Sequence, residues 1–334
     1  MYNLLMSLIK FEILSSGSYL PSQKVGVEEL AKKTNKSVEW IMGKSGVETR
    51  YFAGDESLAS MGAKAVNKAL ENCSFSLNEI DLLIAAGGTP DQPIPHNSAL
   101  IHKELSFPSH ITPLDVDATC LSFVQALKIA AGLIHSGLNK NVIIVSSEKS
   151  SVGLNYDEPE SSTLLGDGAV AFIIGKTDKE KGLIFSEFET YNEGVHLAEI
   201  TGGGTRFHTS TFRDTQCSDF LFKMNGHKIY KMASQYLPNF FNNGLSKNGL
   251  KLEDIDYVVP HQASLMGLRL MCKKLEIPEE KFHINIEKYG NLVGASVPMT
   301  LHELLEMEKL KKGDKALLLC SAAGLTLGMM GLQL

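Results

Sequence analysis

Three side chains able to do nucleophilic and hydrogen-bonding chemistry stand at the ends of apolar runs in this chain: a thiol at Cys120, an imidazole at His261 and a carboxamide at Asn291. The thiol lies in Leu114-Asp115-Val116-Asp117-Ala118-Thr119-Cys120-Leu121-Ser122-Phe123-Val124-Gln125-Ala126-Leu127. The first part of that stretch reads as a strand. From Leu121 onward apolar residues recur at helical spacing, through Val124, Leu127, Ala130, Ala131 and Ile134. Cys120 therefore falls where a strand hands over to an apolar helix. The positive end of a helix dipole, with its unpaired N–H groups, is expected to favour the thiolate, which is the nucleophilic form. A lone cysteine in an apolar run is otherwise an ordinary small core residue. Two further stretches change that balance. His261, in Val259-Pro260-His261-Gln262-Ala263-Ser264, follows a buried strand at its C-terminal end, where α/β folds place functional side chains. Asn291 precedes a helix in Tyr289-Gly290-Asn291-Leu292-Val293-Gly294-Ala295-Ser296-Val297-Pro298, where a turn or cap is the plain alternative.

The elements that must position these residues repeat. Leu77–Ile84 (LNEIDLLI) matches Leu252–Val259 (LEDIDYVV), so that Asp81 and Asp256 stand 175 positions apart. The buried run at Val142 corresponds to that at Ala316, 174 positions on. Two anchors with one offset predict a duplicated α/β unit of alternating strands and helices. The offset sets Cys120 opposite Gly294 or Ala295 and brings Asn291 near it. Other predicted elements are helices over about 27–33, 38–42, 55–70, 222–241, 264–275 and 295–309, and strands over 80–86, 141–147, 169–174, 255–259, 316–320 and 324–334. Ser37 is read as a helix cap, and a further helix begins near His96 or Asn97. Residues 177–219 are expected to hold strands and loops, without placement. The division is into halves at 1–176 and 177–334.

With 334 residues, two packed halves or one large α/β unit is the natural size. A formal net charge of −6 argues against a general nucleic-acid binder. Cys73, Cys120, Cys217, Cys272 and Cys320 are an odd number without close spacing, so neither a zinc pattern nor a disulfide framework follows, and a reducing, cytoplasmic setting is expected. Met1–Ile9 is apolar but short, with Lys10 and Glu12 directly after it. It reads as an N-terminal extension or first strand and not as a signal peptide. No run approaches the ~20 apolar residues that span a bilayer.

From Ser16 to the C-terminus the sequence resembles the β-ketoacyl-acyl-carrier-protein synthase III family of thiolase-like condensing enzymes. The markers are Gly17-Ser18-Tyr19-Leu20-Pro21, Trp40 with Gly46-Val47, the Cys120 stretch and Leu165-Gly166-Asp167-Gly168-Ala169. Met224 with Gly226, Pro260-His261-Gln262-Ala263, Gly290-Asn291 with Ala295-Ser296-Val297-Pro298, and Gly324-Leu325-Thr326-Leu327-Gly328 complete them. The resemblance implies two pseudo-symmetric halves in a five-layered αβαβα core. It implies Cys120 as acyl acceptor, His261 and Asn291 as donors to an enolate, and the backbone N–H groups of Cys120 and Gly324 as an oxyanion hole. No metal or redox cofactor is implied; acyl-CoA and a malonyl thioester, carried on acyl carrier protein, would be substrates.

The resemblance also implies that adenine of CoA stacks on Trp40, with Lys44 where the family has arginine. It assigns carrier-protein docking to Lys231, Lys273 and Lys274. The family's arginine after the histidine is replaced by Met266, with Arg269 one helical turn away as a substitute, and its usual asparagine is Ser264. It further implies a homodimer through Val142–Val145, in which Ile94 closes the partner's acyl tunnel. The alternatives from the residues are a specialised secondary-metabolite condensing enzyme, an acyltransferase with a different acceptor, or an idle acyl-carrier-binding scaffold.

Overall fold

Side chains of the long strands alternate between two faces, and both faces are covered, which is why Val142–Val145 carries no polar residue. The computed structural model describes residues 8–73, 75–212 and 214–334; of the opening apolar stretch, Met1–Ser7 lie outside the described residues. In chain order the elements run β1 (Ile9–Lys10), β2 (Glu12–Tyr19), β3 (Gln23–Gly26), α1 (Val27–Thr34), α2 (Val38–Lys44), β4 (Thr49–Phe52), α3 (Leu58–Glu71), β5 (Leu82–Ala86), α4 (Asn97–Glu104), β6 (Thr112–Val116), α5 (Ser122–His135), β7 (Asn141–Lys149), α6 (Pro159–Ser162) and β8 (Asp167–Gly175). They continue β9 (Gly182–Thr190), β10 (Ala198–Glu199), β11 (Lys223–Met224), α7 (Gly226–Lys247), β12 (Tyr257–Pro260), α8 (Leu265–Lys274), α9 (Ile286–Tyr289), α10 (Ser296–Glu306), β13 (Lys315–Ala322) and β14 (Thr326–Gln333).

Two five-stranded sheets form, in the orders β2-β8-β7-β5-β6 and β1-β9-β14-β13-β12. Helices α5 and α10 lie between them: Val124, Leu127, Val297 and Leu301 pack with Ile144 and Phe172 of one sheet and Leu318 and Met330 of the other. Helices α3 and α4 cover the outer face of the first sheet, and α7 and α8 that of the second. The layers are therefore α-β-α-β-α. The offset of the repeat is visible in single hydrogen bonds. The Asp81 carboxylate accepts from Lys140 N at 2.7 Å, and the Asp256 carboxylate accepts from Lys315 N at the same 2.7 Å. Each pair pins the start of a parallel strand.

Several expectations shift. Helix α3 begins at Leu58, because Ser57 caps it through Ser60 N. Helix α7 begins at Gly226, behind an Asn225 cap, and runs on to Lys247. The last strand begins at Thr326, since Gly324 and Leu325 both have positive φ and form the turn before it. The unplaced region contains β9, an interior strand paired with β14 and β1. The expected dimer edge is corrected: β7 is hydrogen-bonded to β5 on one side and β8 on the other, so Val142–Val145 has no free edge. In that sheet the strand beside the nucleophile with one paired edge is β6. Among the described residues no helix is long and apolar enough to cross a membrane.

Candidate active site

Cys120 sits in a tight 3-10 turn, Thr119–Leu121, immediately before α5. Ser122 Oγ holds the turn shut by accepting from Ala118 N at 2.9 Å and donating to Thr119 O at 2.7 Å. The expectation of a thiolate-favouring environment is overturned. Burial, and then the nearby Glu148 carboxylate, push the Cys120 thiol up from its ordinary 9.0 to about 12. That rise outweighs the modest pull of a helix terminus, about 0.3–1 kcal/mol. Desolvation wins. Opposing it are the backbone N–H groups of Ala323 and Cys120 itself, both directed at the sulfur. Cys320 Sγ donates to Cys120 O at 3.2 Å.

His261 directly follows β12, its backbone N–H bonded to Leu319 O at 2.8 Å. The ring is buried, Nδ1 has no hydrogen-bond partner among the described residues, and burial pushes its pKa down to about 4, so the imidazole is neutral at pH 7. Gln262 braces it: its Oε1 accepts from Asn285 N and Ile286 N, both at 3.1 Å, and its Nε2 donates to His283 O at 3.1 Å. That brace joins the His261 strand to the segment leading into Asn291.

Asn291 makes a turn contact and keeps a donor. Its Oδ1 accepts from Val293 N at 2.8 Å and from Ser296 Oγ at 3.4 Å, which fixes the amide so that Nδ2 carries both free donors. Its backbone is clamped to the other half, with Asn291 N donating to Leu164 O at 2.8 Å and Gly166 N donating to Asn291 O at 3.0 Å. Gly166 has to be glycine, since a Cβ there would lie 2.3 Å from Tyr289 O.

Cys120, His261, Asn291 and Gly324 all line one cavity of about 470 Å³. Its remaining wall is mainly apolar and includes Val152, Leu197, Phe220, Phe222 and Met224. Gly324 has φ +82° and adjoins Ala323, whose N–H reaches the sulfur. The other expected residues lie elsewhere. Trp40 is half-buried outside this cavity, with Lys36 and Lys44 at 5.4 and 5.8 Å from its ring. Lys44 is also engaged with Glu160 at 3.0 Å. Arg269 and Lys273 line a separate surface groove with Met42 and Met266, and Arg269 stands 3.8 Å from Glu287. Lys231 and Lys274 are exposed, and Lys274 donates to Ser234 O at 3.2 Å. Ile94 is 85% exposed and does not line its own chain's cavity. Glu148 and Ala323 were not picked out from the sequence. An acidic residue closing the apolar run Asn141–Glu148 was the available signal for the first.

A duplicated α/β unit layered in this way is the thiolase-like fold, and this chain is an acyltransferase of its condensing class. Profiles described as 3-oxoacyl-[acyl-carrier-protein (ACP)] synthase III and its C-terminal region match residues 114–194 and 245–334. The β-ketoacyl-[acyl-carrier-protein] synthase III of Clostridium perfringens (strain SM101) is 34% identical over 318 residues, 95% of this chain and 97% of that protein. The crystal structure of 3-oxoacyl-[acyl-carrier-protein] synthase III from Aquifex aeolicus VF5 superposes with a TM-score of 0.88 at 30% identity, covering 97% of this chain and all of that one. The priming β-ketosynthase of the R1128 polyketide pathway gives 0.89 at 27% identity, covering 97% of this chain and 96% of that one. The chain belongs to the β-ketoacyl-acyl-carrier-protein synthase III family. It is a condensing enzyme of the kind that begins fatty acid synthesis.

Proposed function

We propose that Cys120 takes an acyl group from acyl-CoA and that His261 and Asn291 then support decarboxylative condensation with malonyl-acyl-carrier protein. The observation that carries this is the fixed amide of Asn291, which leaves Nδ2 as a pure donor on the same cavity as the thiol. In the first step neutral His261 accepts the thiol proton as sulfur attacks the thioester carbonyl. The CoA thiolate leaves and takes that proton. His261 is again neutral and presents an N–H. In the second step the malonyl carboxylate departs as CO2, and its electron pair moves onto the thioester oxygen, stabilised by the His261 and Asn291 donors. The enolate carbon attacks the acyl-Cys120 carbonyl. The oxyanion formed is held by the N–H groups of Cys120 and Gly324, and collapse releases the Cys120 thiolate, which is reprotonated. A general acyl transfer to a heteroatom acceptor forms no enolate and would leave the Asn291 donor without a role.

CoA adenine would rest on Trp40, with Lys36 and Lys44 available to phosphate. The carrier protein, acidic by complementarity, would meet Lys231, Arg269, Lys273 and Lys274. The functional units are 1–176, carrying the nucleophile, and 177–334, carrying the enolate donors. The active form would be a homodimer joined along the free edge of β6, which brings Ile94 of each copy toward its partner. Cytoplasmic location fits Cys73, Cys120, Cys272 and Cys320, none of which is in a disulfide. The test is intact-mass analysis with acyl-CoA, followed by CO2 release from malonyl-acyl-carrier protein. Cys120→Ala abolishes the adduct. Asn291→Ala keeps it and loses condensation by roughly 10²–10³-fold, the effect of one oxyanion-type donor. Unchanged condensation in Asn291→Ala would refute the assignment.

A further inference from the structure

A fully buried carboxylate stands behind the nucleophile without a cation bonded to it among the described residues. Glu148 is at the C-terminal end of β7 and 0% exposed. Its Oε1 accepts from Gly88 N at 2.8 Å and Gly294 N at 3.1 Å, and its Oε2 accepts from Thr89 Oγ1 at 2.6 Å. Those three donors come from two loops, one in each half of the chain. Gly88 and Thr89 follow β5 in the first half and line the cavity. Gly294 belongs to the turn that enters α10 in the second half, three residues after Asn291.

The nucleophile turn is wedged into the same knot. A Cβ on Gly88 would lie 3.2 Å from Thr119 Cα, and one on Gly294 would lie 2.6 Å from Glu148 Oε1 and 3.1 Å from Thr119 O. Both glycines are therefore bare so that backbone can close on backbone around one carboxylate. Lys149 N donates to Thr89 Oγ1 at 3.1 Å, so the hydroxyl's own proton is committed to Glu148.

We propose that Glu148 is a positioning residue for condensation: its carboxylate locks the Asn291 turn and the Gly88–Thr89 loop against the Thr119–Cys120 backbone and so sets the spacing between the acylated sulfur and the enolate donor. The carboxylate touches no reacting atom. Acylation of Cys120 needs the sulfur and His261, neither of which is bonded to Glu148. Condensation alone needs Asn291 and Cys120 in register. The inference rests on the reading of Asn291 as an enolate donor.

The experiment separates the half-reactions in the full-length enzyme. The acyl adduct on Cys120 is followed by intact mass, and CO2 release and β-ketoacyl product by the condensation assay. In Glu148→Ala the adduct forms no more slowly than in the wild type, since the neighbouring charge that holds the thiol up is gone, while condensation falls about 100-fold, the size expected when reacting groups shift by around an ångström. Glu148→Gln keeps the Oε1 acceptor and gives an intermediate loss, again confined to condensation. If the alanine variant does not fold, the glutamine variant decides by the same criterion. Wild-type condensation in the folded variants overturns the proposal, and so does an equal loss in both half-reactions. Asn291→Ala in parallel separates the two claims: condensation retained there overturns the enolate reading, whereas condensation lost there but intact in the Glu148 variants overturns the Glu148 role alone.

Discussion

Thr119 and Val293 stand 174 positions apart and share one unusual backbone state, with φ of 51° and 48°. Each opens a 3-10 turn into an inner helix, and each turn is closed by a serine hydroxyl that accepts a backbone N–H at 2.9 Å. The duplicated chain thus builds the same sharp entry twice. One copy follows it with Cys120, the other with Gly294. A β-branched residue at positive φ is strained, and here the strain is held at the two turns that face the cavity.

The half-buried thiol has a pH signature. With Cys120 pushed up to about 12, chiefly by burial and then by Glu148, its alkylation in the substrate-free enzyme is expected to climb steadily from pH 7 to pH 10 without levelling. Peptide mass analysis after iodoacetamide treatment follows this site alone. Burial pushes the Glu148 carboxyl up to about 7, so above that pH Glu148→Gln removes a neighbouring negative charge and the climb moves to lower pH. A plateau below pH 8 in the wild type would contradict the assigned environment.

Glu303 braces the segment that carries Asn291, accepting from His283 Nε2 at 3.0 Å, Asn285 Nδ2 at 2.8 Å and Lys288 Nζ at 3.0 Å. Burial raises its pKa, but those donors outweigh it and hold the carboxyl at about 2, below the ordinary 4.5. A depressed carboxylate stabilises the fold above its unfolded pKa, and that contribution is lost as pH falls from about 4.5 to about 2. Glu303→Gln should therefore cost on the order of 2–3 kcal/mol at pH 7. Urea titrations of the two proteins should draw together below pH 4.5 and converge only as pH approaches 2; a pH-independent gap would show that the charge is not responsible.

Lys44 is divided between Trp40 and Glu160. An exposed pair of this kind is worth about 0.2–1 kcal/mol. If Lys44 serves a CoA phosphate, Glu160→Gln frees it and lowers KM for acyl-CoA by up to about fivefold at low salt. Trp40→Ala raises KM, with kcat little changed. Steady-state kinetics reporting no KM change in either variant would remove this pair from the CoA site.

The edge of β6 offers a solution test of assembly. Leu114 is 37% exposed on a strand that, among the described residues, pairs only with β5. Leu114→Arg is expected to shift sedimentation velocity from dimer to monomer while near-native circular dichroism persists. A wild-type protein that sediments as a monomer at micromolar concentration would end the dimer proposal.

Much of the fold is legible in local pattern. The Ile-Asp repeat at 80–81 and 255–256 betrays the duplication, because each aspartate has to cap the start of the next parallel strand. Apolar runs such as Val142–Val145 announce strands covered on both faces. Boundaries escaped where a side-chain cap decided them, as Ser57 and Asn225 do. Pairing partners escaped too, since an apolar run looks alike in the middle of a sheet and at its edge. The strand that the resemblance implied for a dimer, Val142–Val145, is interior, and the sheet's edge strand next to the nucleophile is β6.

Residue chemistry alone determined which groups could react: a thiol, an imidazole and a carboxamide at element ends, in two related halves. Only the tertiary structure decided their electrical state, because desolvation and neighbouring charge depend on what surrounds an atom in space. The helix terminus that suggests a thiolate is local, whereas the burial and the Glu148 carboxylate that reverse it come from the packed cavity and from a strand one crossover away. The same holds for Asn291, whose free donor exists because Val293 N–H has claimed its oxygen.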